Sequence, residues 1–204
     1  MANTRGATPG PRAAAAQTVH TITVTLTGSE PPIWRRLEVP SGSTLRELHD
    51  VVQAAVGWED HHLWVFDTPL GRYGAADREL EIHDAASRRL GQVADHAGAR
   101  IRYTYDFGAD WHHDVLVEAV GDAEPGVAYP RCVDGARACP PEDCGGIEAY
   151  RYLVEVLADP AHDEHDEQLE WLGLDAADDF DPAAFDPAGA DRALAGLARV
   201  LVEN

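Results

Sequence analysis

Lysine is absent from this 204-residue chain: its 16 basic side chains are all arginine, against 36 aspartates and glutamates, and the formal net charge is −20. Phosphate backbones and anionic lipid repel such a polyanion, which excludes a general nucleic-acid coat and makes nucleic acid and membrane unexpected partners. Cysteine is scarce too. Three residues cannot build a disulfide framework, and their odd number in a chain long enough to fold on a core points to a reducing compartment, with the cytoplasm as the expected location. No run of 18 apolar residues occurs, so no segment reads as a membrane-spanning helix.

What is present describes a globular chain, with 5 Trp, 6 Tyr and 4 Phe available as packing anchors. Its charge is uneven. Residues 1–120 hold 11 Arg against 16 acids, whereas residues 121–204 hold 5 against 20, and no Arg interrupts the 13 acids from Glu155 to Asp191. That stretch reads as a solvated acidic surface. Met1 to Gln17 carries Pro9, Gly10, Pro11 and the Ala13–Ala16 tract without a long apolar stretch, and reads as a disordered leader over residues 1–17.

Strict alternation begins at Val19. Ile22, Val24 and Leu26 oppose Thr21, Thr23, Thr25 and Thr27, and beyond a Gly28–Pro32 break Ile33, Arg35, Leu37 and Val39 oppose Trp34, Arg36 and Glu38, so a β-hairpin is predicted. Thr44-Leu45-Arg46-Glu47 has the form of a capping box and Gly57 stands in the stop position of the helix between them. His62–Asp67 reads as a strand. The order strand, strand, helix, strand predicts a β-grasp-like start. Residues 68–99 show only short apolar patches. Ile101, Tyr103, Tyr105 and Phe107, then Trp111, His113, Val115 and Val117, alternate around Gly108-Ala109-Asp110 and predict a second hairpin, central to the sheet. Helices follow over Ile147–Ala158, around Asp163–Leu172 and at Leu194, Leu197 and Leu201. The expected fold is α+β: a mixed or antiparallel sheet, a domain over residues 18–186, and a C-terminal helical segment over 187–204 packed on it or extending it.

Several strings, in order, carry a resemblance. They are Trp34-Arg35-Arg36-Leu37-Glu38-Val39-Pro40, Gly57-Trp58, Tyr105-Asp106-Phe107-Gly108 with Asp110-Trp111 and His113, Cys139-Pro140-Pro141-Glu142-Asp143-Cys144-Gly145-Gly146 with Tyr150, and Glu170-Trp171 with Phe180-Asp181-Pro182 and Phe185-Asp186. Over roughly Val19 to Asp186 the chain resembles the plasmid-borne ORF-three-like family of an Ri plasmid, some members of which carry a transposon-passenger, TnpR-type label. The resemblance implies an α+β domain and an association with mobile elements, and brings no reaction with it. A serine recombinase needs a nucleophilic Ser in an arginine-rich catalytic domain, and Ser29, Ser41, Ser43 and Ser87 have no such setting.

Two constellations could carry chemistry. Cys132, Cys139 and Cys144 lie in a proline-braced loop, and with His113 they would supply the four donors of a structural zinc, the one cofactor this sequence suggests; three reduced cysteines beside the core are the plainer account. Asp106, Asp110, His112, His113 and Asp114 surround one hairpin turn and could act as acid and base or bind a metal, although Asp and Gly are also what a turn requires. His162 and His165, ringed by acids, read as part of the solvated face. The leading functional reading is a non-catalytic module that binds a protein or peptide partner through Trp34, Arg35, Arg36, Asp106, Asp110 and Trp111. A nucleic-acid-binding accessory protein of a mobile element, using Arg35, Arg36, Arg100 and Arg102, and a metal-dependent hydrolase built on His112 and His113 are the alternatives.

Overall fold

A computed structural model describes residues 17–203, with side chains as far as Leu197. The leader expected over residues 1–17 therefore falls, Gln17 apart, outside the described residues. Strands β1 (Thr18–Leu26), β2 (Trp34–Pro40), β3 (Trp64–Thr68), β4 (Gly71–Gly74), β5 (Ile82–Asp84), β6 (Arg100–Tyr105), β7 (Trp111–Asp122) and β8 (Arg131–Ala136) form one sheet in the order β5-β4-β3-β6-β7-β1-β2-β8. Neighbours are antiparallel except β4 and β5. With helices α1 (Leu45–Val56), α2 (Leu90–Val93), α3 (Ile147–Ala158), α4 (His165–Leu172) and α5 (Pro187–Glu203), the chain is an α+β protein.

Alternation decides which side of each strand is dry. His20, Ile22, Val24 and Leu26 of β1, Arg35, Leu37 and Val39 of β2, Tyr103 and Tyr105 of β6, and Trp111, His113, Val115 and Val117 of β7 are buried on one face, where α1 supplies Leu45, Leu48, Val51 and Val52. Thr23, Trp34, Arg36, His112, Asp114 and Glu118 face the other way and keep contact with solvent. The capping box of α1 is formed as predicted: the Thr44 hydroxyl accepts the Glu47 amide at 3.1 Å and the Glu47 carboxylate accepts the Thr44 amide at 2.6 Å. Gly57 ends the helix at φ 85°, in the left-handed region that glycine enters without a Cβ penalty.

The second hairpin, β6 and β7, is central as expected. The first hairpin, however, does not take β3 as its neighbour, because β7 pairs along the whole of β1 from Thr18 to Leu26 and β6 pairs with β7. The strand, strand, helix, strand order is thus present in the chain, with β6 and β7 standing between β3 and β1 in the sheet. Residues 68–99 resolve into β4, β5, a short 3-10 turn and α2, tied to the start of α1 by backbone bonds between Leu45 and Arg88 and between Leu90 and Ser43. His20 fixes the end of α2, with one ring nitrogen 2.8 Å from the Ala94 carbonyl and the other 2.8 Å from Ser41 Oγ. In α4, His165 is buried rather than solvated. It lies four and seven residues before Leu169 and Leu172, which pack against the core, and so shares their inward face of the helix.

Two imidazoles are held in the core as neutral rings. His49 stacks on Trp64 at 3.9 Å between centroids and bonds to the Tyr103 hydroxyl (2.7 Å) and Asp60 (2.8 Å), and burial pushes it down to about 4 despite the Asp60 charge. His113 lies edge-on to Trp58, and burial pushes it down to about 4 as well. Each folded value lies below the unfolded value near 6.5, so between them the unfolded chain takes up a proton that the folded chain does not. Their contribution is complete above pH 6.5 and is lost as the pH falls from there towards 4, on the order of 3 kcal/mol per ring. Urea denaturation at pH 7, 6, 5 and 4 should show this decline, and His113→Leu should flatten the slope over the same window.

Candidate functional site

The segment from Arg137 to Gly146, between β8 and α3, crosses the end of the buried face and is bolted there by side chains from three separate elements. Trp58 donates its indole N–H to the Pro140 carbonyl (2.9 Å) and Trp111 donates to the Glu142 carbonyl (3.2 Å). The Glu142 carboxylate accepts the backbone N–H of Glu59 (2.7 Å) and of His61 (3.3 Å) and the hydroxyl of Tyr105. Partial burial alone would raise this carboxyl, but the three donors outweigh it and hold the group below its usual range, while burial and the facing carboxylate push the Tyr105 phenol up. His62 adds a 2.8 Å bond to Asp143.

Gly146 explains the glycine pair. Its φ is 96°, and a Cβ there would sit 2.5 Å from the carbonyl oxygen of Ala109 in the β6–β7 turn. That turn is built from left-handed aspartates, Asp106 at φ 52° and Asp110 at φ 58°, with Asp106 Oδ1 accepting the Gly108 amide at 2.9 Å. Asn and Asp tolerate this conformation better than most residues, so the acids of the turn serve its geometry.

The predicted binding surface is divided by the sheet. Arg35 and Trp111 are buried, at 4% and 1% exposure, so neither presents itself to a partner. Arg35 instead donates to the carbonyls of Ala55 (3.0 Å), Trp34 (2.9 Å) and Ala136 (3.1 Å), reaches Cys139 Sγ at 3.1 Å, and lies 4.0 Å over the Phe185 ring. Trp34 and Arg36 are half-buried on the open face, where Arg36 pairs with Glu118 (2.8 Å) and Asp134 (3.2 Å). Asp106 and Asp110 sit at the hairpin tip, Asp110 exposed.

The strand period also separates His112 from His113. His112 bonds to Thr104 (2.9 Å) and Asp110 (3.2 Å) on the open face, whereas His113 is inside, with its Nδ1 unpartnered among the described residues. Cys132, Cys139 and Cys144 are free thiols, and burial pushes Cys139 up to about 11 and Cys144 to about 12. Among the described residues these thiols and His113 do not gather their donor atoms within 4.8 Å of one another; the set that does is His49, Asp50 and Asp60. Arg46 already supplies a cation there, 3.3 Å from Asp50 and 3.2 Å from Asp60. Sequence reading missed this group because its members sit on α1 and in the following loop with no motif spacing.

One accessible cleft has polar groups that the fold leaves unused. About 490 Å3 in volume, it lies between the β1–β2 connection and α3, with Ile33, Ile147 and Val154 on its apolar side and Glu30, Arg137 and Glu155 on its polar side. Tyr150 also lines it and is 6% exposed, and its hydroxyl has no hydrogen-bond partner among the described residues. A second groove, of about 270 Å3, runs between α3 and α4 beside the exposed rings of Tyr152 and Trp171.

The model of the family described as plasmid pRiA4b ORF-3-like protein matches residues 18–189. The chain belongs to that family. It is 38% identical over 180 residues to the "Uncharacterized protein y4hQ" of Sinorhizobium fredii (strain NBRC 101917 / NGR234), covering 87% of this chain and 91% of the relative. It is also similar to the crystal structure of a protein of unknown function, MM3350, from Methanosarcina mazei Go1, with a TM-score of 0.75 and 35% identity over 85% of this chain and 98% of that one. In this ORF-3-like protein three of the strings that suggested the family, Gly57-Trp58, Tyr105 to Trp111 and Cys139 to Gly146, meet around Glu142. Their shared role is to dock one loop. Among the described residues no helix is long and apolar enough to cross a membrane.

Glu142→Gln keeps one acceptor, loses the charge and, with the amide oxygen facing His61 and Tyr105, turns its NH2 group against the Glu59 N–H, so it should destabilise the ORF-3-like protein by about 1–3 kcal/mol. Urea denaturation measures the loss, and faster hydrogen exchange at the Glu59 and His61 amides locates it. Gly146→Ala should cost at least about 1–3 kcal/mol, because the methyl group meets the Ala109 backbone and the residue must keep a left-handed φ.

Proposed function

We propose that this ORF-3-like protein is a non-catalytic protein- or peptide-binding module, and that the cleft between the β1–β2 connection and α3 receives a segment of its partner. One contrast carries the reading. Of the hairpin groups that looked reactive, His112 is engaged by Thr104 and Asp110 and Asp106 by its own turn, while His113 is shut inside the core; Glu142 is likewise held by three donors and His49 at both nitrogens. In the cleft, Arg137 has no carboxylate within 4.0 Å among the described residues and the Tyr150 hydroxyl has no partner. An apolar wall with a few convergent polar groups is the usual form of a site that binds and orients a ligand.

Two rivals fare less well. Of the four arginines suggested for nucleic-acid binding, Arg35 is buried and Arg36 is paired with Glu118 and Asp134, which leaves Arg100 and Arg102 exposed on a chain of net charge −20. A hydrolase on His112 and His113 would need two side chains that the strand directs to opposite faces.

Selection of a displayed random-peptide library on the full chain tests the proposal. Enriched peptides should bind with Kd of roughly 1–100 µM, and Val154→Glu, which places a charged chain on the apolar wall, should weaken them by at least about tenfold with an unchanged circular-dichroism spectrum. Enriched peptides that bind the variant as tightly would move the site elsewhere, and an exhaustive selection with no enrichment would remove the reading.

A further inference from the structure

We propose that the cleft contains a carboxylate-binding subsite, in which the Arg137 guanidinium and the Tyr150 hydroxyl together hold one carboxylate of the bound segment. This rests on the peptide-binding reading and names the chemistry of what is bound. Among the described residues, Arg137 is the one arginine that is not exposed and has neither an ion pair nor a hydrogen bond from its side chain. That is unexpected in a chain where acids outnumber arginines 36 to 16. Tyr150 is more than nine-tenths buried, lines the same cleft, and keeps its hydroxyl unpartnered. A buried hydroxyl without a partner destabilises the fold until an acceptor reaches it.

The two groups belong together. Burial pushes the Tyr150 phenol up to about 12, and the Arg137 charge beside it acts in the opposite direction. A guanidinium presents parallel N–H donors that match the two oxygens of a carboxylate, and a phenol O–H can add a third bond. The rest of the lining selects a single negative charge. Arg151 is already engaged by Glu148 and the Gly28 carbonyl, and Glu30 and Glu155 share the cleft, so a dianionic phosphate would meet two glutamates with one free cation to offset them. A carboxylate, from a chain terminus or from an acidic side chain, fits this balance.

The test is an NMR titration of the 15N-labelled full chain with N-acetyl-leucine, N-acetyl-leucine amide, N-acetylglutamate α-amide and inorganic phosphate, observed at the Arg137 Nε–H resonance. At least one carboxylate should bind about tenfold or more tightly than N-acetyl-leucine amide and than phosphate. N-acetyl-leucine as the tighter ligand assigns the subsite to a chain terminus, and N-acetylglutamate α-amide assigns it to an acidic side chain. Arg137→Gln should weaken the preferred carboxylate about tenfold, and Tyr150→Phe by about three- to tenfold with a thermal midpoint no lower than that of the wild type, since the hydroxyl it removes has no partner. Equal binding of acid and amide, phosphate binding as tight as carboxylate, or an unchanged affinity in Arg137→Gln would overturn the subsite. Selected peptides that depend on Val154 and not on Arg137 would also overturn it while leaving the module standing. Carboxylate binding at Arg137 with no peptide enriched would do the reverse.

Discussion

The Glu142 carboxylate is the constraint on which the remaining structure depends. The turn from α1 into β3 leaves the N–H groups of Glu59 and His61 outside any strand, and a carboxylate brought from 83 and 81 residues further along the chain accepts both. Charge-assisted bonds of this kind are stronger than neutral ones and geometrically exacting. Because Tyr105 of β6 donates to the same group, and Trp58 and Trp111 bind the backbone on either side of it, one loop locks α1, the central hairpin and the start of α3 into a fixed relation. The loop's sequence follows from that task. Prolines stiffen it, the glutamate anchors it, and the glycines let it pass against the β6–β7 turn.

Alternation made most of the sheet legible, and it also contained the answer to two residues that were assigned to the surface. Arg35 falls in step with Ile33, Leu37 and Val39, and Trp111 in step with His113, Val115 and Val117, so the period that found the strands already placed both inside. Composition argued otherwise for Arg35, since arginine is seldom buried. Its burial is tolerable because three carbonyls, a sulfur and the Phe185 ring surround the guanidinium, an arrangement that a lysine's single ammonium could not match. The neighbour of the first hairpin was not legible. Which strand takes the free edge of β1 depends on a pairing across nearly a hundred residues, and no local pattern distinguishes β7 from β3 as the partner. The four- and three-residue strands β4 and β5 are too short for any period to declare itself, and Leu70 and Leu80 beside them are exposed.

The candidate site was less legible still. Spacing drew attention to cysteines and to a hairpin rich in Asp and His, because those residue types are the ones that chemistry uses. The cleft's groups with unused bonding capacity, Arg137 and Tyr150, sit in no motif whose spacing signals a ligand, and an arginine after a strand and a tyrosine on a helix face both read as ordinary. Only the three-dimensional pairing of each donor with its acceptors distinguishes a satisfied group from an unsatisfied one.

Charge follows the same division between structure and surface. The acids concentrated after residue 121 are largely solvated, yet single members reach back into the fold: Asp191 of α5 accepts the Cys132 amide of β8 at 3.1 Å, on the strand that closes one end of the sheet order, and Phe185 packs against Arg35. An edge strand whose N–H groups find a carboxylate is a poorer template for pairing with another chain. The cleft depends on this arrangement as well. Arg137 opens the docked loop and Tyr150 lies just beyond its end, so the distance between the two is set by the bonds that Glu142, Trp58 and Trp111 make in between. A loop held from three elements fixes the backbone from which Arg137 projects and the start of the helix that carries Tyr150, so a ligand at the proposed subsite would order one arginine side chain and little backbone.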